Sequence, residues 1–333
     1  MLVLTLIAFA LFMFTFQSST EIKTFLVFAF YVAISLIYSI DSRYPVMLGI
    51  VFLIASALLL QRDEALSDRL AIYAYYSLVA GVVLSIAEYL REREEEKPCT
   101  ISNLCLVIAS GKGGVGKTTL ASNLAVTFAK LGRRVLLVDL DLSMPNVDVV
   151  LGVKVDAGLK ECLLGEEPEK CIHSAHGVDI LAASPLLELS SEQEERLRRI
   201  IEELTERYDV VILDLPPGKE NLELVPESAY AIIVAMPEKT SLVNAVAAAA
   251  LLQERCTLLG FVLNMEKEPV DLESIEKGMG ASVIGVLQYD EMNRESVNSG
   301  VPLAVLDENR EFSRGVADIA RFLCRVLGAQ EEK

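Results

Sequence analysis

The chain has 333 residues, of which 52% are hydrophobic and 23% charged, and its formal net charge is −17. This composition is too apolar for an ordinary soluble protein and too charged for one that lies wholly within a membrane. It excludes disorder over most of the chain, and it excludes a nucleic-acid binder that relies on an overall positive field. The length predicts about two domains.

The first 96 residues contain four apolar runs in a row, separated by short polar segments. The runs cover residues 1–16, 24–40, 44–60 and 70–90. A membrane-spanning helix needs about 20 apolar residues, with a lower limit of about 17, and these runs show no polar face. They predict an all-α membrane region of about four transmembrane helices, with three spans or a re-entrant pair as the alternative. The first run lacks the basic start and the cleavage site of a signal peptide.

Charged residues mark the end of this region. Glu88 lies inside the last run, where it is either a membrane proton or ion site or a residue that reaches water at the headgroup level. The charged run 91–97 predicts that the last helix continues into water as a short tether, and Pro98 marks its end. We therefore divide the chain into a membrane region, 1–96, and a second domain, 97–333. Basic residues orient the spans only weakly.

Cysteine and histidine usage predicts no metal centre. The chain has 6 Cys and 2 His, with no C-x-x-C pair. Zinc and iron–sulfur sites need several such ligands at close spacing. We expect six buried or inert thiols in a reducing compartment.

From residue 104 onward, short apolar runs alternate with helical patterns. Strands are predicted at 104–109, 134–138, 178–182, 210–213, 231–236, 257–263 and 282–287. Helices are predicted at 120–131, 191–208, 241–253 and 310–327. Continuously apolar strands that alternate with helices indicate an α/β fold with a mostly parallel sheet, covered by helices on both faces.

A glycine-rich loop carries the strongest functional signal. It matches G-x-x-x-x-G-K-[ST], follows a predicted strand and opens a predicted helix, which is the context of a P-loop. Its backbone N–H groups and the helix N-terminus favour phosphate, Lys117 would reach the β and γ phosphates, and Thr118 would bind Mg²⁺. The nucleotide-binding residues predicted here are Gly111, Lys112, Gly113, Gly114, Val115, Gly116, Lys117, Thr118 and Thr119.

A second lysine makes this loop more specific. Lys112 stands in a Lys-Gly-Gly-x-Gly-Lys-Thr sequence, which resembles the deviant Walker A motif of the MinD/ParA family of P-loop ATPases. The resemblance implies hydrolysis of ATP with Mg²⁺ and an ATP-dependent homodimer with the nucleotides between its subunits. It gives Lys112 a contact to the nucleotide of the partner subunit. A solvated loop lysine is the alternative.

Two further strand ends carry acidic residues. Asp139 and Asp141 lie one residue apart and share a face of a strand, and Asp214 ends another apolar strand. These segments resemble switch I and the Walker B motif with switch II. The resemblance makes Asp141 the residue that positions the attacking water, and Asp139 and Asp214 part of the Mg²⁺ shell. A polar strand end at the rim of the sheet is the alternative. Pro217 is typical of the Mrp-type iron–sulfur carriers, but the missing C-x-x-C argues against that branch.

The last third also resembles MinD. Asn264 follows a strand at the position where family members read the adenine edge, and Tyr289 lies in the next matching segment, where Gln288 replaces the usual proline. The resemblance covers about residues 103–328 and none of the membrane region.

These features lead to the hypothesis of a multi-pass cell-membrane protein with a cytoplasmic MinD/ParA-like ATPase domain. ATP binding would pair two domains and hydrolysis would release them, as a switch in spatial organisation or division-related positioning. The expected partners are a second copy, the lipid bilayer and an unidentified protein, without nucleic acid. The alternatives are a membrane tyrosine-kinase-like P-loop protein, although no C-terminal tyrosine cluster is present, and a nucleotide-binding scaffold with little turnover.

Overall fold

The computed structural model describes residues 20–38, 41–95, 99–184, 189–266 and 271–328. The chain separates into two compact units, with the division after Lys97. The first predicted span, residues 1–16, and Pro98 lie outside the described residues.

The first unit is helical in its described part. Its helices are α1 (Thr20–Tyr38), α2 (Arg43–Leu59) and α3 (Glu64–Glu95). They correspond to the last three apolar runs, with polar turns between α2 and α3. One stretch, Glu64–Glu88 within α3, is long and apolar enough to cross a membrane, while Thr24–Leu36 and Arg43–Leu59 are shorter apolar helices.

Small residues let α2 and α3 pack closely. Gly81 lies so near Val46 that a Cβ atom there would collide with the valine side chain. At the other end of the pair, the Ser56 and Ser67 hydroxyls donate to each other's backbone carbonyl at 2.9 Å. Close backbone approach and hydrogen bonds between hydroxyls and backbone are typical of helices that pack in an apolar solvent.

The second unit is a layered α/β domain. Its strands are β1 (Leu104–Ala109), β2 (Val135–Asp139), β3 (His173–Ala175), β4 (Val178–Leu181), β5 (Val210–Asp214), β6 (Tyr230–Ala235), β7 (Thr257–Glu266) and β8 (Val283–Gln288). Its helices are α4 (Lys117–Lys130), α5 (Val147–Val150), α6 (Leu159–Leu164), α7 (Pro168–Cys171), α8 (Ser191–Arg207), α9 (Lys239–Gln253), α10 (Leu272–Met279), α11 (Met292–Ser299), α12 (Leu303–Leu306) and α13 (Glu311–Gly328), with a 3-10 turn at Leu222–Leu224.

The eight strands form one sheet in the order β3-β4-β2-β5-β1-β6-β7-β8. Every pairing is parallel except β3 with β4. Side chains of α8 and α9 fill the apolar layer on one face of the sheet, and those of α4 and α13 fill the layer on the other. The predicted parallel sheet with helices on both faces is thereby confirmed, and its central strands are fully buried because helices cover both of their sides.

Besides several short helices that were not predicted, two features differ from the sequence-based expectation. The antiparallel strand β3 was not predicted, because three half-exposed residues at a sheet edge give no apolar run. The prediction of six free thiols was wrong in one respect, since Cys99 and Cys324 form a disulfide over a sequence separation of 225 residues. The remaining cysteines, Cys105, Cys162, Cys171 and Cys256, are free and buried.

Candidate nucleotide site

The glycine-rich loop connects the central strand β1 to helix α4 at the carboxyl edge of the sheet. Gly116 precedes α4 with a φ of 90°, a left-handed conformation that favours glycine. A side chain at Gly116 would also collide with the Asn264 amide, and one at Gly111 would collide with the backbone of Asn244 in α9. The loop therefore needs glycine at these two positions, and it leaves backbone N–H groups at a helix N-terminus, which suits phosphate.

Lys117 lies in the first turn of α4 and is 8% exposed. Burial lowers the pKa of its ammonium group, and the carboxylates of Asp214 and Asp141 oppose that shift. A buried cation costs free energy unless anions compensate it. Lys117 thus provides a buried positive charge beside the loop, which phosphate oxygens can balance.

Thr118 and Asp214 meet next to this lysine. The Thr118 hydroxyl donates to Asp214 Oδ2 at 2.6 Å, while Asp214 Oδ1 is buried without a hydrogen-bond partner among the described residues. Burial, followed by the charge of Asp139, raises the pKa of Asp214 to about 7. An unpaired buried carboxylate oxygen beside a hydroxyl matches the oxygen ligands of Mg²⁺. No group of three or more His, Cys, Asp or Glu side chains is arranged as a metal site in the described chain, so phosphate oxygens would have to complete the ligand set.

Asp139 lies opposite Asp214 in the pairing of β2 with β5. Its Oδ1 accepts the Asp141 N–H at 3.0 Å, and its Oδ2 accepts the N–H groups of Asn146 and Val147 at 3.0 and 3.1 Å. Burial nevertheless raises its pKa to about 6. These contacts fasten the loop after β2, and metal coordination by Asp139 stays a prediction.

Asp141 lies in that same loop and faces the lysine. Its Oδ1 accepts the Ser143 hydroxyl at 2.9 Å and the Met144 N–H at 3.0 Å, which fixes a tight turn. Its charge acts on both Lys117 and Asp214. The structure therefore brings Lys117, Thr118 and the three predicted carboxylates to one edge of the sheet.

Lys112 lies on the outer side of the loop, with 46% of its side chain exposed. Its Nζ is 3.8 Å from Glu238 Oε2 at the start of α9. Among the described residues this is its one ion pair, and an exposed pair at that distance contributes little to stability. Lys112 is therefore free to contact a group outside its own subunit.

Asn264 is 3% exposed, and its amide donates to the Val115 carbonyl at 2.8 Å. This buried contact holds the phosphate loop against the end of β7. An Asn after an apolar strand was the available signal for Asn264, but the contact with the loop was not predicted from it. Tyr289 is 47% exposed at the end of β8, and its N–H donates to the Glu266 carbonyl at 2.7 Å. Adenine contacts by Asn264 and Tyr289 stay predictions.

Two more asparagines support the site and were not predicted. The Asn221 amide donates to the Leu140 carbonyl at 2.7 Å and joins the loops after β5 and β2. Asn123 in α4 accepts the Ala304 N–H and donates to the Thr119 carbonyl, each at 2.8 Å. Neither asparagine lies in a recognisable motif. Each side chain hydrogen-bonds a backbone group of a segment distant in sequence, and such a contact leaves no local pattern.

Comparisons with known proteins agree with this geometry. Residues 101–324 match the ParA family, described as the NUBPL iron-transfer P-loop NTPase. An uncharacterised ATP-binding protein of Methanocaldococcus jannaschii is 29% identical over 243 residues, 70% of this chain and 91% of that protein. The septum site-determining protein MinD of Bacillus subtilis is 30% identical over 241 residues, 67% of this chain and 88% of that protein.

Solved structures give the same relationship. MinD of Pyrococcus horikoshii, complexed with Mg-ADP, has a TM-score of 0.61 and 28% identity, and the match covers 68% of this chain and 98% of that one. In the MinC:MinD cell division complex of Aquifex aeolicus, the matching chain has a TM-score of 0.59 and 29% identity, with 66% and 95% of the two chains covered. The chain belongs to the MinD/ParA family of P-loop NTPases.

Proposed function

We propose that the chain is a membrane-anchored ATPase that binds Mg–ATP, pairs with a second copy and hydrolyses ATP as a switch. One observation carries the proposal: Lys117, the Thr118–Asp214 pair and Asp141 converge beside the phosphate loop. The buried charges at this edge balance one another only in part. The charges of a bound nucleotide and its metal ion would balance the remainder.

Each residue has a distinct part in this chemistry. The loop N–H groups and Lys117 bind the phosphates, and Thr118 and Asp214 would hold Mg²⁺, which supplies charge neutralisation on the phosphate oxygens when bound. Asp141 orients a water molecule toward the terminal phosphate. Its hydrogen bonds with Ser143 and Met144 hold this carboxylate in the turn after β2.

Pairing of two copies rests on Lys112. The resemblance to the family implies that this lysine contacts the nucleotide of the partner subunit. In this chain the Lys112 side chain is half-exposed and has one weak ion pair among the described residues. In a closed interface a single cation stabilises developing phosphate charge more than at a wet surface.

Membrane anchoring rests on the first unit. Only 28% of the most apolar window of α3 is buried, and large apolar side chains such as Met47 and Leu58 are 65% and 73% exposed. An apolar helix with so much exposed surface needs lipid or another apolar partner. The anchor would be permanent, so ATP would control pairing rather than residence at the membrane.

ATP turnover by the purified full-length chain tests the proposed activity. Asp141→Ala should retain ATP binding and lose hydrolysis, because it removes water positioning and leaves the phosphate contacts. Asp156→Ala, exposed in the loop before α6, is the matched control and should keep both. Equal rates for Asp141→Ala and wild type would contradict the assignment, and binding without turnover in wild type would favour the scaffold.

Extraction of membranes tests the anchor. The full-length chain should stay in the membrane fraction after high-salt and alkaline washes, because salt screens surface charge but does not release buried helices. Release of the chain by either wash would contradict the proposed spans.

A further inference from the structure

The disulfide of the second unit joins its two ends. Cys99 precedes the sheet and is 4% exposed, and Cys324 is half-buried in the last helix, α13. Gly328, at the end of α13, lies so close to Thr100 that a Cβ atom would be 2.7 Å from its Oγ1. The segment 99–103 is therefore seated against the C-terminal end of α13.

Segment 99–103 precedes the first strand of the sheet. It forms no strand pairing, because the sheet begins at Leu104, whose N–H donates to the Asp209 carbonyl at 3.0 Å. Ile101, 2% exposed, is its main apolar anchor besides Cys99. The strand that follows is β1, which leads directly into the phosphate loop. Any displacement of segment 99–103 would thus act first on the strand that carries the nucleotide site.

The other four cysteines are not part of this bond. All are free and buried. Burial raises the pKa of Cys105 to about 12 and that of Cys256 to about 11, and it also raises the pKa of Cys162. Because the thiolate is the reactive form, Cys105, Cys162 and Cys256 exchange slowly.

We infer that Cys99–Cys324 is a reversible staple that fixes segment 99–103 onto α13 and thereby holds the start of β1, the strand that leads into the phosphate loop. The bond forms by thiol–disulfide exchange with a disulfide-bearing oxidant. The two thiols lose two protons and two electrons, and the oxidant's disulfide becomes two thiols. A dithiol reductant reverses the exchange, and half-buried Cys324 is the more accessible partner.

The staple also closes almost the whole second unit into one covalent ring. Closure of so long a loop restricts the unfolded chain strongly, so its loss should lower the Tm of this unit by on the order of 10 °C. The inference concerns the second unit alone and does not depend on membrane anchoring or on ATP turnover.

Thiol counting on the full-length chain tests the bond. After denaturation without reductant, maleimide should label four cysteines in wild type and six after a dithiol reductant. Cys324→Ser should show five labels in both conditions, and the control Cys256→Ser should show three and then five. Six labels in unreduced wild type, purified with rapid acid trapping, would overturn the staple.

Hydrogen exchange tests its role. Reduction of the native full-length chain, and Cys99→Ser or Cys324→Ser, should each speed exchange at 99–103 and in the last turn of α13 by on the order of tenfold. Peptides of α8 should not change, and reductant should have no further effect on the two variants. Unchanged exchange at 99–103 in the reduced chain and in both variants would show that Ile101 and Thr100 suffice, which contradicts the inferred role.

Discussion

The two units of this chain place apolar and polar side chains in opposite ways. In the first unit, Met47 and Leu58 face outward while Ser56 and Ser67 pair inside. In the second, apolar residues fill both layers around the sheet, and buried charges such as Lys117 and Asp214 gather at one edge. The difference supports the proposal that the first unit is anchored in an apolar surrounding, while the second faces water and an anionic ligand.

The largest expected effect is at the charged edge. Lys117→Ala should weaken ATP binding by roughly 100-fold, because a buried charge-assisted contact to phosphate is lost. Lys277→Ala, an exposed lysine of α10, is the control. Titration of the full-length chain with ATP measures the change. Similar ATP affinity in Lys117→Ala and wild type would mean that this edge is not the phosphate site.

A second prediction concerns the buried carboxylates and the metal. Asp214→Asn should slow Mg-dependent hydrolysis by roughly 100-fold, because it removes the charge that faces the metal. The variant should still fold, since a neutral amide replaces a carboxylate whose ionisation is opposed by burial and by Asp139. Full activity in Asp214→Asn would contradict its place in the metal site.

The same pair predicts a pH dependence of stability without nucleotide. The folded-state pKa values, about 7 for Asp214 and about 6 for Asp139, lie above the ordinary value of 3.8. The folded state therefore binds protons more tightly, so this contribution is present at low pH and is lost as pH rises through 6 to 7. Thermal unfolding from pH 5 to 8 should show a steeper loss in wild type than in Asp214→Asn. Parallel curves would contradict the raised pKa.

A smaller effect separates two roles of Asn264. Asn264→Ala should weaken binding of ATP and of inorganic tripolyphosphate by a similar factor, about fivefold, because the contact to Val115 positions the loop for either ligand. Exposed Asn298→Ala is the control. Loss of ATP affinity with unchanged tripolyphosphate binding would assign Asn264 to the base alone and contradict its positioning role.

The smallest effect is in the first unit. The Ser42 N–H donates to Glu88 at 2.7 Å, so Glu88 of α3 stabilises the N-terminus of α2. Glu88→Ala should destabilise this unit by about 1 kcal/mol, measured by unfolding in detergent, while Asp68→Ala, exposed and beyond the first turn of α3, should have no effect. Unchanged stability together with altered proton uptake would favour the membrane proton site.

The accuracy of sequence-based prediction also differs between the two units. In the second, apolar runs of β1, β2 and β5 placed the strands, and the loop spacing placed Lys117 and Thr118, because local pattern alone determines these features. Contacts between distant segments were not predicted: the pattern marked Asn264 after an apolar strand but not its contact with Val115, and no spacing paired Cys99 with Cys324. In the first unit, the apolar runs predicted the helices. The sequence alone does not show what the exposed apolar faces of these helices contact.

The measurement that tests the account most directly is ATP turnover per chain in vesicles of increasing protein density. If hydrolysis needs two anchored copies, the rate per chain should rise with density, because confinement raises the local concentration of ATPase units. Lys112→Ala should hydrolyse slowly at every density while binding ATP normally, and Lys239→Ala in α9 should behave as wild type. A rate per chain that is independent of density and unchanged in Lys112→Ala would contradict the paired, membrane-confined switch.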